Sequence, residues 1–201
     1  MRSMRGRSVS VVIPVYNCER YLGAAIRSAL AQTDPPDEVL VVDDGSTDGS
    51  AAVARGFGAP VHSLSQPHTG ISAALNRGVE RARGAFIAFL DADDLWVEDK
   101  LARQLDALAA DPALDAVFGY VEQFASPELA PAAQPSVPEG LRLAPGYLAG
   151  ALLIRAEAFH RVGPFDPRWQ IGNFLEWYLR AQEAGLRHTM LPEVLLRRRL
   201  H

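Results

Sequence analysis

Gly84-Ala85-Phe86-Ile87-Ala88-Phe89-Leu90-Asp91-Ala92-Asp93-Asp94 carries an apolar run straight into three carboxylates. The run Ala85 to Leu90 has strand length and predicts a strand buried in a sheet. Asp91, Asp93 and Asp94 then crowd the point where that strand ends, and two readings of the cluster stand side by side. A hard divalent cation relieves the repulsion, and Mg²⁺ takes one or two carboxylates together with substrate phosphates. On the other reading, Asp93 or Asp94 caps the helix expected next, satisfying its free N–H groups and its dipole.

Outward from this stretch, strand and helix patterns alternate. Val9 to Val15 is a β-branched strand, and Glu19 to Gln32 aligns Leu22, Ile26, Ala29 and Leu30 on one helical face. Glu38 to Val42 reads as a strand, Ser50 to Arg55 as a short helix, Val61 to Leu64 as a strand, and Ile71 to Ala82 as a helix. Downstream, Val97 to Ala110 predicts a helix stopped by Asp111-Pro112, and Ala116 to Tyr120 another strand. Such alternation argues for an α/β fold: a Rossmann-like, mostly parallel sheet with helices on both faces. Ligands of such sheets bind beyond the strand C-termini.

Beyond residue 120 the pattern changes. Ser126 to Gly140 carries prolines at 127, 131, 135 and 138 and reads as a surface loop or linker. Tyr147 to Ile154 is apolar, Ala156 to Arg161 predicts a short helix, Phe174 to Ala184 an amphipathic helix ended by Gly185, and Leu186 to Leu196 an extended segment. The length of 201 residues suits one domain. Within it we expect a ligand-binding half over 1–120, a Pro/Ala-rich loop over 121–145 and a smaller C-terminal region over 146–201.

A net charge of −4 supplies no global positive field, which argues against nucleic acid as a partner. The single cysteine, Cys18, excludes an intramolecular disulfide and a Cys/His zinc site, and fits a reducing, cytoplasmic location. No stretch reaches the roughly 20 apolar residues of a membrane-spanning helix, so we expect a soluble chain, compatible with peripheral association at the inner face of a membrane. Neither Gly-x-Gly-x-x-Gly nor a P-loop is present, which argues against dinucleotide dehydrogenases and P-loop kinases. No flanking pattern makes Cys18 a nucleophile with any histidine, and it reads as a helix-start residue.

Other residues carry paired readings. In Asp43-Asp44-Gly45-Ser46-Thr47-Asp48-Gly49 a carboxylate can accept hydrogen bonds from a ribose hydroxyl or a base N–H, or the segment is an ordinary acidic turn. It lacks the spacing of a calcium loop. After Pro14-Val15, Tyr16 offers an aromatic face to a nucleobase or is a core ring. Glu176, beside Trp177, is a general base with a raised pKa or the i,i+4 ion-pair partner of Arg180. Arg197-Arg198-Arg199 folds onto a diphosphate or is a solvated tail.

Taken together, Val9 to Asn17, Val41 to Asp48 and Gly84 to Asp94 resemble, in order and spacing, the successive signatures of the family 2 glycosyltransferases of the GT-A fold. The resemblance implies metal-dependent, inverting transfer from a nucleoside-diphosphate sugar (UDP-, GDP- or dTDP-sugar) to a glycan, lipid or other acceptor. It implies that Pro14, Tyr16 and Asp44 hold the base and ribose, and that Asp91 and Asp93 form the Asp-x-Asp (DXD) motif. Asp93 would contact ribose or diphosphate, and Asp93 and Asp94 would ligate Mn²⁺ or Mg²⁺. Gly70 and Asn76 look like the family's middle Gly and Asn, with Asn76 beside the donor. Residues 146–201 become the acceptor side. The family places an acidic pair where this chain has Asn173-Phe174, which leaves Glu176 as the expected base. Arg199-Leu200-His201 resembles its Arg-x-His segment, which in relatives precedes further residues, so a truncated C-terminus is expected. Two other readings remain: a non-catalytic nucleotide-sugar-binding module and a nucleotidyltransferase, the latter lacking its Gly-rich basic first loop here.

Overall fold

A computed structural model describes residues 7–127 and 142–201. Seven consecutive buried residues make β1 (Val9–Val15), whose Val9, Val11, Ile13 and Val15 face one layer of core while Val12 faces the other. That alternation is why an unbroken apolar run suits a strand covered on both sides. Then come α1 (Glu19–Leu30), β2 (Glu38–Asp43), α2 (Ser50–Arg55), β3 (Val61–Ser65), α3 (Ile71–Arg81) and β4 (Phe86–Phe89). The chain continues through β5 (Leu95–Trp96), α4 (Lys100–Ala110), β6 (Ala116–Ala125), β7 (Leu143–Pro145) and a 3-10 turn at Ala149–Ala151. It closes with β8 (Leu153–Arg155), α5 (Ala156–Val162), α6 (Asn173–Glu183) and β9 (His188–Leu200).

The sheet runs β3-β2-β1-β4-β8-β6-β9-β5, with β7 beside β6. Its longer pairings, β1 with β2 and β4, β2 with β3, and β6 with β9, are parallel. Short antiparallel pairings bring in β5, β7 and β8. Helices α1 and α4 cover one face, with Leu22, Ile26, Leu101 and Leu105 fully or almost fully buried. Helices α3, α5 and α6 cover the other, where Trp177 stacks on Phe159 at 5.2 Å between ring centroids. Truncating such a buried aromatic to alanine costs about 3–5 kcal/mol. At Gly78, α3 presses so closely on β1 that an added Cβ would lie 2.3 Å from Val12 Cγ1.

Several expectations change. Helix α4 starts at Lys100, not Val97, and Leu95–Trp96 forms a strand on β9 instead. Asp93 and Asp94 therefore cap no helix. The expected 121–145 loop is shorter: 121–125 continue β6, and Leu143–Pro145 pairs with it. The proline-rich part from 128 to 141 lies outside the described residues. The basic tail is no solvated tail, since Arg197 to Arg199 belong to β9, which pairs with β6 through Leu200. Among the described residues no helix is long and apolar enough to cross a membrane.

Under α4 lies a buried polar cluster. Lys100 Nζ donates to Gln104 Oε1 (2.7 Å) and to the Leu152 carbonyl (3.3 Å), and sits 4.2 Å from the centroid of the Trp96 ring. Gln104 Nε2 and Trp96 Nε1 donate to the carbonyls of Val117, Ala151 and Gly150, tying α4 to β6 and the 3-10 turn. Burial without a carboxylate partner holds the Lys100 amine well below the usual lysine range.

Candidate functional site

Strand order reverses between β1 and β4: β2 lies on one side of β1 and β4 on the other. The crevice beyond the C-termini of such strands is where α/β sheets take ligands. A cleft of about 420 Å³ lies there, lined by Pro14, Tyr16, Asp44, His68, Asp91 and Asp93 among others. Five residues expected from sequence to hold the donor thus come together from β1, β2 and the turn after β4.

The turn after β1 is locked to the turn after β2. Asn17, at φ 49°, donates its N–H to Ser46 Oγ (3.0 Å) and accepts from the Thr47 N–H (2.8 Å). Helix α1 lacks a local side-chain cap; its first N–H groups go to Ser50 Oγ and Asp48 Oδ2, from Cys18 and Glu19. Cys18 thus starts the helix as expected. Its thiol is pushed up to about 11 by burial and then by Asp93, so it is a poor nucleophile at neutral pH. Tyr16 projects half exposed from this frame and stacks on His68, with ring centroids 4.0 Å apart. Tyr16 is therefore not the core ring of the other reading but part of the cleft lining.

Asp44 is buried, and both its oxygens are occupied. Oδ1 accepts from Gln66 Nε2 (2.7 Å) and the Thr69 N–H (2.9 Å); Oδ2 accepts from the Gly70 N–H (2.8 Å). His68 Nδ1 lies 2.8 Å from Oδ2 and 3.1 Å from the Asp44 carbonyl, so Nδ1 carries the proton. Burial raises the Asp44 pKa, but these donors outweigh it and leave the carboxyl below its ordinary range. Asp44 therefore fixes the 66–70 turn that forms one wall of the cleft.

At the floor, Asp91 and Asp93 line this cleft and also an adjoining hollow of about 450 Å³ with Asp94 and residues 198–201. Asp91 opens onto the cleft although protein crowds its carboxyl. That desolvation, then Asp93, pushes it up to about 6. Asp93 Oδ2 meets His201 Nε2 at 2.9 Å. Asp94 is buried and pushed up to about 8, by desolvation first and Asp91 next. Its Oδ1 accepts the Arg199 N–H at 2.8 Å, while Arg199 Nε donates to the Asp93 carbonyl at 2.8 Å. Asp94, expected as a metal ligand, thus anchors β9 through Oδ1 while it lines the hollow beside Asp91 and Asp93.

Carboxylates at 91 and 93 have the chemistry a hard cation takes when its remaining ligands come from substrate oxygens. Among the described residues no three His, Cys, Asp or Glu groups are arranged to hold a metal ion alone. The two carboxylates that line the cleft would suit Mg²⁺ or Mn²⁺ only together with oxygens of a bound ligand.

Two expected residues fall elsewhere. Asn76 does not line the cleft; its Nδ2 donates to the Phe165 carbonyl (2.8 Å) and its Oδ1 accepts the Phe165 N–H (2.9 Å). Its whole amide clamps α3 to the turn after α5. Glu176 is held by Arg180, with Nε to Oε1 at 2.6 Å and Nη2 to Oε2 at 3.0 Å, and lines a separate shallow groove. Conversely, His68 and Gln170 line the cleft without having been expected there. His68 had a local signal, two residues before Gly70 at a helix start; Gln170 had none.

A family model, "Glycosyl transferase family 2", matches residues 10–165. TuaG of Bacillus subtilis (strain 168), a glycosyltransferase named for teichuronic acid biosynthesis, is 35% identical over 116 residues, covering 56% of this chain and 46% of TuaG. Glycosyltransferase AglE of Haloferax volcanii is 32% identical over 200 residues, covering 93% of this chain and 65% of AglE. The crystal structure of S. aureus TarS 1-349 in complex with UDP superposes with a TM-score of 0.74 at 19% identity, over 96% of this chain and 60% of TarS 1-349. The chain thus spans between about half and two thirds of these relatives. Since the matched region runs from β1 through the acidic turn to the segment clamped by Asn76, the chain belongs to glycosyl transferase family 2.

Proposed function

We propose that the chain binds a nucleoside-diphosphate sugar in the cleft and transfers its sugar, with inversion, to an acceptor hydroxyl. The observation that carries this reading is the convergence of Tyr16, the Asp44-held 66–70 wall, Asp91 and Asp93 around one cleft of about 420 Å³. Tyr16 and His68 supply a stacking face for the base, and the wall sets the width of the base and ribose end. Asp93, with Asp91 beside it, would hold Mg²⁺ or Mn²⁺, which supplies charge neutralisation to a departing diphosphate. His201 and Arg199 fix the Asp93 side chain and backbone. The TarS crystals with UDP and with UDP-GlcNAc make a uridine donor the first to try.

The pairing of Glu176 with Arg180 favours a second reading, donor binding without transfer. As the proposed base, Glu176 would have to leave Arg180 to accept the acceptor proton.

A thermal-shift panel of uridine, guanosine and thymidine diphosphates, with and without Mn²⁺ or Mg²⁺, tests the donor site. Ligand at 100-fold over Kd stabilises by about 2.7 kcal/mol. One nucleotide should stabilise the protein, more so with metal, and Asp93→Ala should remove the metal-dependent part. No stabilisation by any of the three at millimolar concentration would sink the reading. Release of free sugar or transfer to a hydroxyl acceptor then separates an enzyme from a binding module.

A further inference from the structure

We propose that the acceptor is amphiphilic: its hydroxyl enters the cleft while an alkyl or isoprenoid chain lies on an apolar ledge made by Trp169, Ile171, Leu175 and Leu179. This rests on the reading of the cleft as the donor site. The four side chains are 48%, 89%, 62% and 56% exposed. Single exposed apolar residues are ordinary, whereas Trp169, Leu175 and Leu179 share one groove, with Ile171 beside it in sequence, and such a set marks a binding surface. Leu175 and Leu179 are one helical turn apart on α6, whose core face is already served by Phe174, Trp177 and Ala181. Among the described residues, packing therefore gives no reason for this second apolar stripe. Trp169, Leu175 and Leu179 border a groove of about 240 Å³.

The ledge begins where the cleft ends. Gln170, between Trp169 and Ile171 in sequence, lines the cleft, and its Oε1 would lie 2.5 Å from a Cβ built on Gly70. Ser72 Oγ donates to the Trp169 carbonyl at 3.0 Å, and Asn76 clamps Phe165. Both residues belong to α3, whose Ile71 and Ala74 line the cleft. Ledge and cleft are thus held in fixed register, as a substrate spanning both requires.

Charge argues for a neutral chain over an anionic membrane surface. In the groove Arg180 is paired with Glu176 and accompanied by Glu183, and neighbouring Arg168 is held by Asp166 at 2.6 Å. A membrane-surface helix instead shows a basic polar face. A second copy is a poor occupant, since four side chains fall far short of the roughly 20–30 residues a side of a stable interface.

Trp169 makes the test direct, because Trp96 and Trp177 are 4% and 0% exposed. Tryptophan emission and acrylamide quenching are followed while methyl, hexyl and octyl β-glucosides are added below their micelle concentrations. The proposal expects a blue shift and lost quenching with the hexyl and octyl glucosides and not with the methyl glucoside, with affinity rising up to ~4-fold per methylene. Leu175→Ser/Leu179→Ser should weaken octyl glucoside binding at least ~10-fold, as loss of two buried leucines implies, and leave the nucleotide thermal shift unchanged. Nucleotide binding without chain-length dependence overturns the ledge and spares the cleft. Failure of the nucleotide panel removes the cleft reading and this proposal with it. A monomer–dimer shift abolished by the double variant, or binding to phosphatidylcholine/phosphatidylglycerol vesicles without binding of monomeric alkyl glucosides, assigns the ledge elsewhere and overturns the proposal.

Discussion

Asp44 Oδ2 accepts the N–H of Gly70 at 2.8 Å, and Gly70 sits at φ 97°, ψ 164°, a backbone region that side-chain-bearing residues avoid. The acidic turn after β2 thereby dictates the backbone that opens α3, and one wall of the cleft depends on a residue without a Cβ.

Gly70→Ala is expected to destabilise the protein by roughly 1–3 kcal/mol, the cost of holding a non-glycine residue in that region. The clash with Gln170 adds little, because that side chain's flexible end can move. Nucleotide affinity should fall as well. Urea denaturation and a nucleotide thermal shift on one preparation check both, and unchanged stability would show that the turn has another accessible conformation.

Glu38 supplies a test in acid. Burial alone raises its pKa, but hydrogen bonds from Ser10 Oγ (2.7 Å), the Arg83 N–H (2.7 Å) and the Arg83 guanidinium (2.9 Å) outweigh that and leave it below the ordinary value. The unfolded glutamate titrates near about 4.3. The folded value is lower, so this contribution is complete above that pH and is lost as pH falls through the folded value. Glu38→Gln should be less stable than the parent by roughly 2 kcal/mol at pH 7. The gap should narrow below about pH 4; a gap independent of pH would refute the assignment.

Lys100 has the opposite sign. Its folded pKa is depressed, while the unfolded side chain keeps its proton to about 10.4. Between those values the unfolded state binds more protons, so this residue makes stability rise with pH, by at most about 1.4 kcal/mol per pH unit. Lys100→Met should lack that increment, and the parent should gain on it from pH 7 to pH 10 in chemical denaturation. Parallel curves would mean that the amine is charged when folded.

Glu176→Gln weakens the fork by which Arg180 joins α6 to the Val162 and Pro164 carbonyls. A stability loss of about 1 kcal/mol is expected, with nucleotide binding unchanged. A fall in sugar transfer far beyond that loss would establish Glu176 as the base despite its ion pair; transfer in proportion to folded protein would make it a positioning residue for α6.

The strands around the cleft were legible because each is defined by its own residues: β1, β2 and β4 are mostly apolar and wholly buried, and carboxylates fall at or just beyond the ends of β2 and β4. What escaped depends on distant partners. Leu95-Trp96 looks like the first turn of a helix until β9 is placed beside it. The bond from the Arg199 N–H to Asp94 is invisible locally because the two residues are far apart in the chain. Asn76 looks like a donor ligand because nothing local reveals the Phe165 backbone. The extended segment expected over Leu186 to Leu196 stops short of β9 because Arg197 to Arg199 show no apolar pattern; only their pairing with β6, which carries register shifts on either side of Tyr120, makes them strand.

Lys100 is the only lysine in the chain, and it is sealed beneath α4. The folded molecule therefore presents no lysine amine to acylation, carbamylation or amine-directed cross-linking. An amine-reactive dye reaches that nitrogen only when α4 lifts from the sheet, so the rate of labelling at Lys100 becomes a single-residue clock for opening of the core.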